Sequence, residues 1–214
     1  MCYTYNRKVI YSMIYLLRHG EIEDPGSRRF IGQTDCRLST SGRAQAEYWK
    51  TWLQGKGVVH IYCSDLVRSS ETAEIISSGL GVKISVNPDL KEIHLGEWDG
   101  EPMQRIRKKF PASWTERGAR IDAYRTPAGE SFNDLYNRVV PAFASIARKM
   151  AAAHVLIVGH AGVNRMILCH VLGMPIRRLF SIRQDYGGLN IIENDSTGFQ
   201  VASMNITLSS SIKI

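Results

Sequence analysis

Five consecutive apolar positions, Met13-Ile14-Tyr15-Leu16-Leu17, open the ordered pattern of this chain and predict a buried strand. Val58 to Cys63, Val82 to Val86 and His154 to Val158 repeat the signal, and each is followed by residues suited to starting or capping a helix or turn. Between them the apolar positions change to helical spacing. Ser39 to Ser41 offers a cap for a helix over Arg43 to Leu53, closed by Gly55. Ser64 or Asp65 can cap a second helix with Leu66, Ala73, Ile76 and Leu80 on one face. Ser131 to Ala153 predicts a long helix bent near Pro141, which lacks a backbone donor. Gly188 to Glu193 and Phe199 to Met204, joined across 194–198, predict a closing hairpin.

This alternation predicts an α/β fold, a three-layer α/β/α sandwich on a mostly parallel mixed sheet with a C-terminal hairpin. Residues 97–130, irregular and holding Trp98, Pro102, Trp114 and Pro127, predict a small helical cap insertion. The expected organisation is a tail at 1–12, one domain over 13–205 and a tail at 206–214.

The 214 residues are 44% hydrophobic and 22% charged, enough for one domain with a substantial core. The apolar run at 13–17 passes directly into Arg18-His19 without a small-residue cleavage site, and nothing later approaches a membrane-spanning length. Cys2, Cys36, Cys63 and Cys169 form no Cys-x-x-Cys, so no zinc knuckle is expected and a reducing cytoplasm is the simplest setting. The net charge is +7, and the stretch from Gln104 to Arg125 holds seven cations against Glu116 and Asp122. A solvated helix face is the plainer reading of that run, and a cationic rim drawing in a phosphorylated metabolite is the sharper one. Nucleic acid comes third, because no recognition pattern accompanies the charge.

The chemistry gathers at strand ends. The first strand delivers Arg18, His19 and Gly20, the second Ser64 with Arg68 just beyond, and the fourth His160. Carboxyl edges of open sheets bind ligands, and the helix starts there favour anions. Two guanidiniums point to a phosphoryl group, while Gly20 would let a ligand approach the main chain. Their charge would keep His19 neutral and nucleophilic. Glu92 is the best-placed proton donor; Glu97, Asp99 and Glu101 read as surface loop residues. His60, His94, His154 and His170 read as structural. Cys63 to Arg68 is one residue short of a cysteine-phosphatase loop, no nucleotide P-loop is present, and no metal-ligating cluster appears.

Leu-Leu-Arg-His-Gly-Glu at 16–21, Gly-Gln-Thr-Asp at 32–35, Ser-Asp-Leu-Val-Arg at 64–68 and Leu-Lys-Glu at 90–92 occur in order, followed by Pro-Ala-Gly-Glu-Ser at 127–131 and Val-Gly-His-Ala-Gly-Val at 158–163. The set resembles the histidine phosphatase superfamily, in the branch that includes cofactor-dependent phosphoglycerate mutase. The resemblance implies His19 as phosphohistidine nucleophile and Glu92 as proton donor, with Arg18, Arg68 and His160 holding the phosphoryl group. Gly20, Glu21, Gly32 and Ala161 would join the substrate site, and neither metal nor organic cofactor is implied. Ile93-His94-Leu95-Gly96 replaces the Arg-x-Tyr-Gly of mutases, which favours hydrolysis. Leu172 to Pro175 and Ile182 to Gly187 are similar to the α-ribazole phosphatase group of cobalamin synthesis. The expected partner is a small phosphorylated substrate, with a homodimer left open. A mutase, or a non-catalytic module binding a phospho-ligand, is the alternative.

Overall fold

The computed structural model describes residues 11–23 and 28–208. The strands are β1 (Ser12–Arg18), β2 (Val58–Cys63), β3 (Lys83–Val86), β4 (His154–Gly159), β5 (Leu189–Asp195) and β6 (Gly198–Ile206). They form one sheet in the order β3-β2-β4-β1-β5-β6. The first four are parallel, with Ile14 opposite Val155 and Ile61 opposite Leu156, while β5 runs antiparallel to both β1 and β6.

Strand alternation divides the core between the two faces. Ile14, Leu16, Val155 and Ile157 point to one side, where they meet α5 (Phe132–Lys149) and α6 (Ala161–Val171). Tyr15, Leu17, Leu156 and Val158 point to the other, against α1 (Thr40–Leu53) and α2 (Val67–Leu80). The expected three-layer sandwich with a closing hairpin is therefore the observed fold.

Several expected boundaries shift. Ser39 caps α1 by accepting from the Gly42 N–H, but α2 is capped at Leu66 without a side-chain bond, correcting the assignment to Ser64 or Asp65. The Ser64 hydroxyl is turned instead toward the His160 ring. α5 ends at Lys149 rather than Ala153; Pro141 lies on its exposed face, and Ser131 with Asp134 closes a capping box at its start. The hairpin turn is only Ser196-Thr197, because Asp195 Oδ1 accepts both the amide and the hydroxyl of Thr197 and lets the ladder run on to residue 195. The expected tails lie almost wholly outside the described residues, with Ser12 inside β1 and β6 ending at Ile206.

In the region expected to cap the sheet, a 3-10 turn (Gly96–Trp98) precedes α3 (Met103–Lys109) and α4 (Pro111–Ala119). A bridge between Arg29 and Pro102 ties this region to the loop after β1. Phe30 packs on Trp98 and Trp114 with ring centroids 5.3 and 6.1 Å away, which anchors it to the core. Among the described residues no helix is long and apolar enough to cross a membrane.

Candidate active site

The carboxyl ends of β1, β2 and β4 meet at one edge, and a cleft of about 240 Å³ opens above them. Arg18, His19, Gly32, Arg68, Glu92 and Ala161 line it, together with apolar side chains that include Phe30, Met103, Phe132 and Phe180.

His19 is almost fully buried, and its backbone is held between β4 and the β5 approach: its N–H donates to Gly159 O at 3.0 Å and its carbonyl accepts from Gly187 N. Its Nδ1 lies 2.8 Å from the Gly20 carbonyl oxygen. A carbonyl can only accept, so Nδ1 carries the proton and Nε2 keeps its lone pair. Burial, followed by the charges of Arg68 and Arg18, holds the imidazole well below its usual range, with the Gly20 bond as a smaller opposing effect. A neutral, singly oriented imidazole results.

His160 is fully buried, and its ring centroid lies 5.0 Å from that of His19. Its Nε2 is 2.7 Å from the Ser64 hydroxyl, whereas its Nδ1 is buried without a partner. Burial is also the first cause of its lowered pKa, ahead of Arg68, His19 and Arg18.

Main-chain carbonyls anchor the two floor arginines. Arg68 donates to Thr34 O at 2.8 Å and Gly32 O at 2.6 Å. Gly32 is left-handed, with φ +46°, and an added Cβ would fall 1.7 Å from Asp99 Oδ1. Asp99 also accepts from the Gln33 N–H and so props up the loop, which corrects its reading as a plain surface residue. Arg18 donates to Gln184 O at 2.7 Å and stacks on Tyr186, its Cζ 3.7 Å from the ring centroid.

Glu92, in the loop between β3 and the 3-10 turn at Gly96, faces these cations with its carboxylate against the start of α6. Its Oε2 accepts from the Gly162 N–H at 2.9 Å and its Oε1 from the Ile93 N–H at 2.8 Å. The positive end of α6 thus holds the carboxylate. An alanine Cβ at Gly162 would lie 2.2 Å from Oε1, so the glycine makes room for the acid. Arg138 secures the segment from α5: it donates to the carbonyls of Asp89, Lys91 and Glu92 and forks onto Glu130.

Gly20, Glu21 and His160 do not line the cleft. Gly20 faces the backbone of Gly42, whose oxygen would lie 2.4 Å from an added Cβ, so what approaches its main chain is α1 rather than a ligand. The Glu21 carboxylate accepts from the Ser39 hydroxyl, away from the cleft. Sequence reasoning missed Tyr186, Arg165, Arg29 and the Arg138–Glu130 pair. Glu130 lies inside the quoted 127–131 motif and Tyr186 inside 182–187, so both were marked without a role. The basic run splits: Arg105, Arg120 and Arg125 pair with Glu101, Glu116 and Asp134, and Arg117 turns into the cleft.

The profile of the histidine phosphatase superfamily (branch 1) matches residues 14–207. A Yersinia enterocolitica protein named "Probable phosphoglycerate mutase GpmB" is 32% identical over 168 residues, covering 76% of this chain and 75% of its own. The solved structure of Bacillus stearothermophilus YhfR is 32% identical with a TM-score of 0.82, covering 89% of this chain and 95% of that one. The α-ribazole phosphatase of Shigella flexneri, at 23% identity and a TM-score of 0.83 over 91% of this chain and 96% of its own, shares the fold.

Proposed function

The chain belongs to the histidine phosphatase superfamily, and on that premise we propose that it hydrolyses small phosphate monoesters through a phosphohistidine on His19. The observation that carries this reading is the Nδ1–H bond of His19 to the Gly20 carbonyl, which leaves Nε2 as a neutral nucleophile beside two guanidiniums.

In the first step Nε2 attacks phosphorus, the P–O ester bond breaks, and the leaving oxygen takes a proton from Glu92. In the second, water attacks the phosphohistidine while Glu92, now a carboxylate, takes the water proton; the P–N bond breaks and inorganic phosphate leaves. Arg18 and Arg68 hold the phosphoryl oxygens, each charged hydrogen bond contributing about 1.5–3 kcal/mol. His160 is buried beside His19 rather than lining the cleft, and with Ser64 on its Nε2 its unpartnered Nδ1 would serve as a donor once a phosphoryl group is seated on His19.

α-Ribazole 5′-phosphate is a candidate substrate, supported by the likeness of 172–175 and 182–187 to that phosphatase group and by the aromatic cleft wall. The relatedness to the Yersinia protein favours a second reading, phosphoryl return to phosphoglycerate. Against it, Ile93 and Leu95 place apolar groups on the wall where mutases carry Arg and Tyr.

Acid-labile, base-stable phosphate on His19 after quenching turnover of a labelled ester, absent in His19→Ala, is the expected result. Wild-type turnover of p-nitrophenyl phosphate by His19→Ala refutes the mechanism. Conversion of 3- to 2-phosphoglycerate without phosphate release would establish the mutase instead.

A further inference from the structure

Five arginines line the cleft, Arg18, Arg29, Arg68, Arg117 and Arg165, against one carboxylate, Glu92. Among the described residues none of the five forms an ion pair. Arg18, Arg68 and Arg165 donate to main-chain carbonyls, as does Arg29, on Gly100 O. Outside the cleft the habit is reversed: Arg43, Arg105, Arg138 and Arg177 each sit on a carboxylate. Carbonyl anchors orient a guanidinium without neutralising it, so the cleft keeps its charge for a ligand.

A phosphoryl dianion balances Arg18 and Arg68 and no more, while His19 and His160, held neutral, add no charge. Arg29, Arg117 and Arg165 then remain with Glu92 alone, whose charge disappears whenever it is protonated to act as the acid. Arg117 stands apart from the others. It comes from α4, its guanidinium lies 5.3 Å from the Phe30 ring centroid, and it makes no hydrogen bond among the described residues. Burial disfavours its charged form, with Tyr124 opposing this. A half-buried cation stacked on an aromatic ring, with its donors free toward a cleft, is a recognition element lacking its anion.

We propose that the leaving group of the substrate carries a second anionic group, a carboxylate or a second phosphoryl, and that Arg117 binds it. The inference rests on the phosphomonoesterase reading above and adds the substrate class. Arg117 does not touch the breaking bond, so its effect belongs in KM rather than kcat.

Two substrate pairs test it on the full chain: 4-carboxyphenyl phosphate against phenyl phosphate, and propane-1,3-diyl bisphosphate against propyl phosphate. The expected result is a kcat/KM preference of roughly tenfold or more for the doubly anionic member of at least one pair, the size of one charged contact. The responding pair identifies the group as carboxylate or phosphoryl. In Arg117→Gln that preference falls about tenfold through KM, and in Arg117→Lys, which keeps the charge but loses the planar fork stacked on Phe30, only part of it is kept. The wild-type comparison needs no variant to fold. Equal rates within both pairs overturn the inference, as does a preference unchanged in Arg117→Gln, or α-ribazole 5′-phosphate, with no second anion, outrunning all four esters. A chain that hydrolyses none of them and labels no histidine overturns the phosphomonoesterase reading itself, and the inference with it.

Discussion

Replacing Gly162 with alanine adds one methyl group and separates the acid from the nucleophile. The glycine sits in the first turn of α6 with an ordinary backbone, so alanine is tolerated there and gains up to about 1 kcal/mol of helix propensity. Its methyl, however, would lie 2.2 Å from Oε1 of Glu92, where ordinary contacts begin near 3.4 Å. The carboxylate must therefore retreat by about 1 Å, and the 2.9 Å bond from the Gly162 N–H is lost or bent. A shift of about 1 Å in a reacting group can cost on the order of 100-fold, within the roughly 10²–10⁴ that a positioned acid contributes. The loss should depend on the leaving group. An alkyl phosphate, whose alkoxide must be protonated, should slow by about 100-fold, and p-nitrophenyl phosphate, whose phenolate departs unaided, by only a few fold. The kcat/KM values of the two esters, which report the first step and not the shared second step in which Glu92 acts as base, measure this, with a urea melt to show that the fold is kept. An equal loss on both esters, or no loss on the alkyl ester, would refute Glu92 as the acid.

Three further outcomes follow from the same geometry. His19 and His160 are held neutral in the folded chain but take up protons near pH 6.5 when unfolded, so the unfolded state binds more protons below that pH. Stability should be full above about pH 6.5 and fall below it by up to about 2–3 kcal/mol per pH unit for the two together; urea midpoints between pH 5 and 8 would show it, and a flat profile would sink it. Ser64→Ala leaves the buried His160 Nε2 unpartnered and should cost about 1–3 kcal/mol by chemical denaturation. Arg138→Gln frees the carbonyls of Asp89, Lys91 and Glu92, so it should slow alkyl ester hydrolysis more than p-nitrophenyl phosphate hydrolysis, a split that mere destabilisation would not produce.

The strands could be read from the sequence because buried parallel strands are written as unbroken apolar runs, and polar residues ending such a run stand out. Arg18, His19 and His160 were visible for that reason, and Arg68 because it falls in the first turn after Cys63-Ser64. The partners were not. That the Gly20 backbone meets Gly42, or that Arg138 reaches back nearly fifty residues to hold Glu92, depends on how α1 and α5 pack, and no local spacing encodes it. The run from 104 to 125 looked uniform as a string, yet helix phase sends Arg105 and Arg120 to acids on their own helices and turns Arg117 toward Phe30. The expected Ser64 and Asp65 caps fall short because the Ser64 hydroxyl bonds the His160 ring and reaches only the Leu66 N–H, one residue before the helix, while Asp65 pairs with Lys91.

Arginines tethered to neutral carbonyls have one more consequence. Like charges held close together in one cleft repel, and folding supplies only Glu92 as a counter-charge against the five lining guanidiniums. Any oxyanion that enters, whether product phosphate, vanadate or a sulfate buffer, relieves that repulsion in the native state only. At 100 times its dissociation constant such an ion adds about 2.7 kcal/mol of stability by mass action. The melting temperature of this chain is therefore a meter of cleft occupancy. It can rank anions before any substrate is known, and a thermal scan in sulfate or phosphate records the liganded protein.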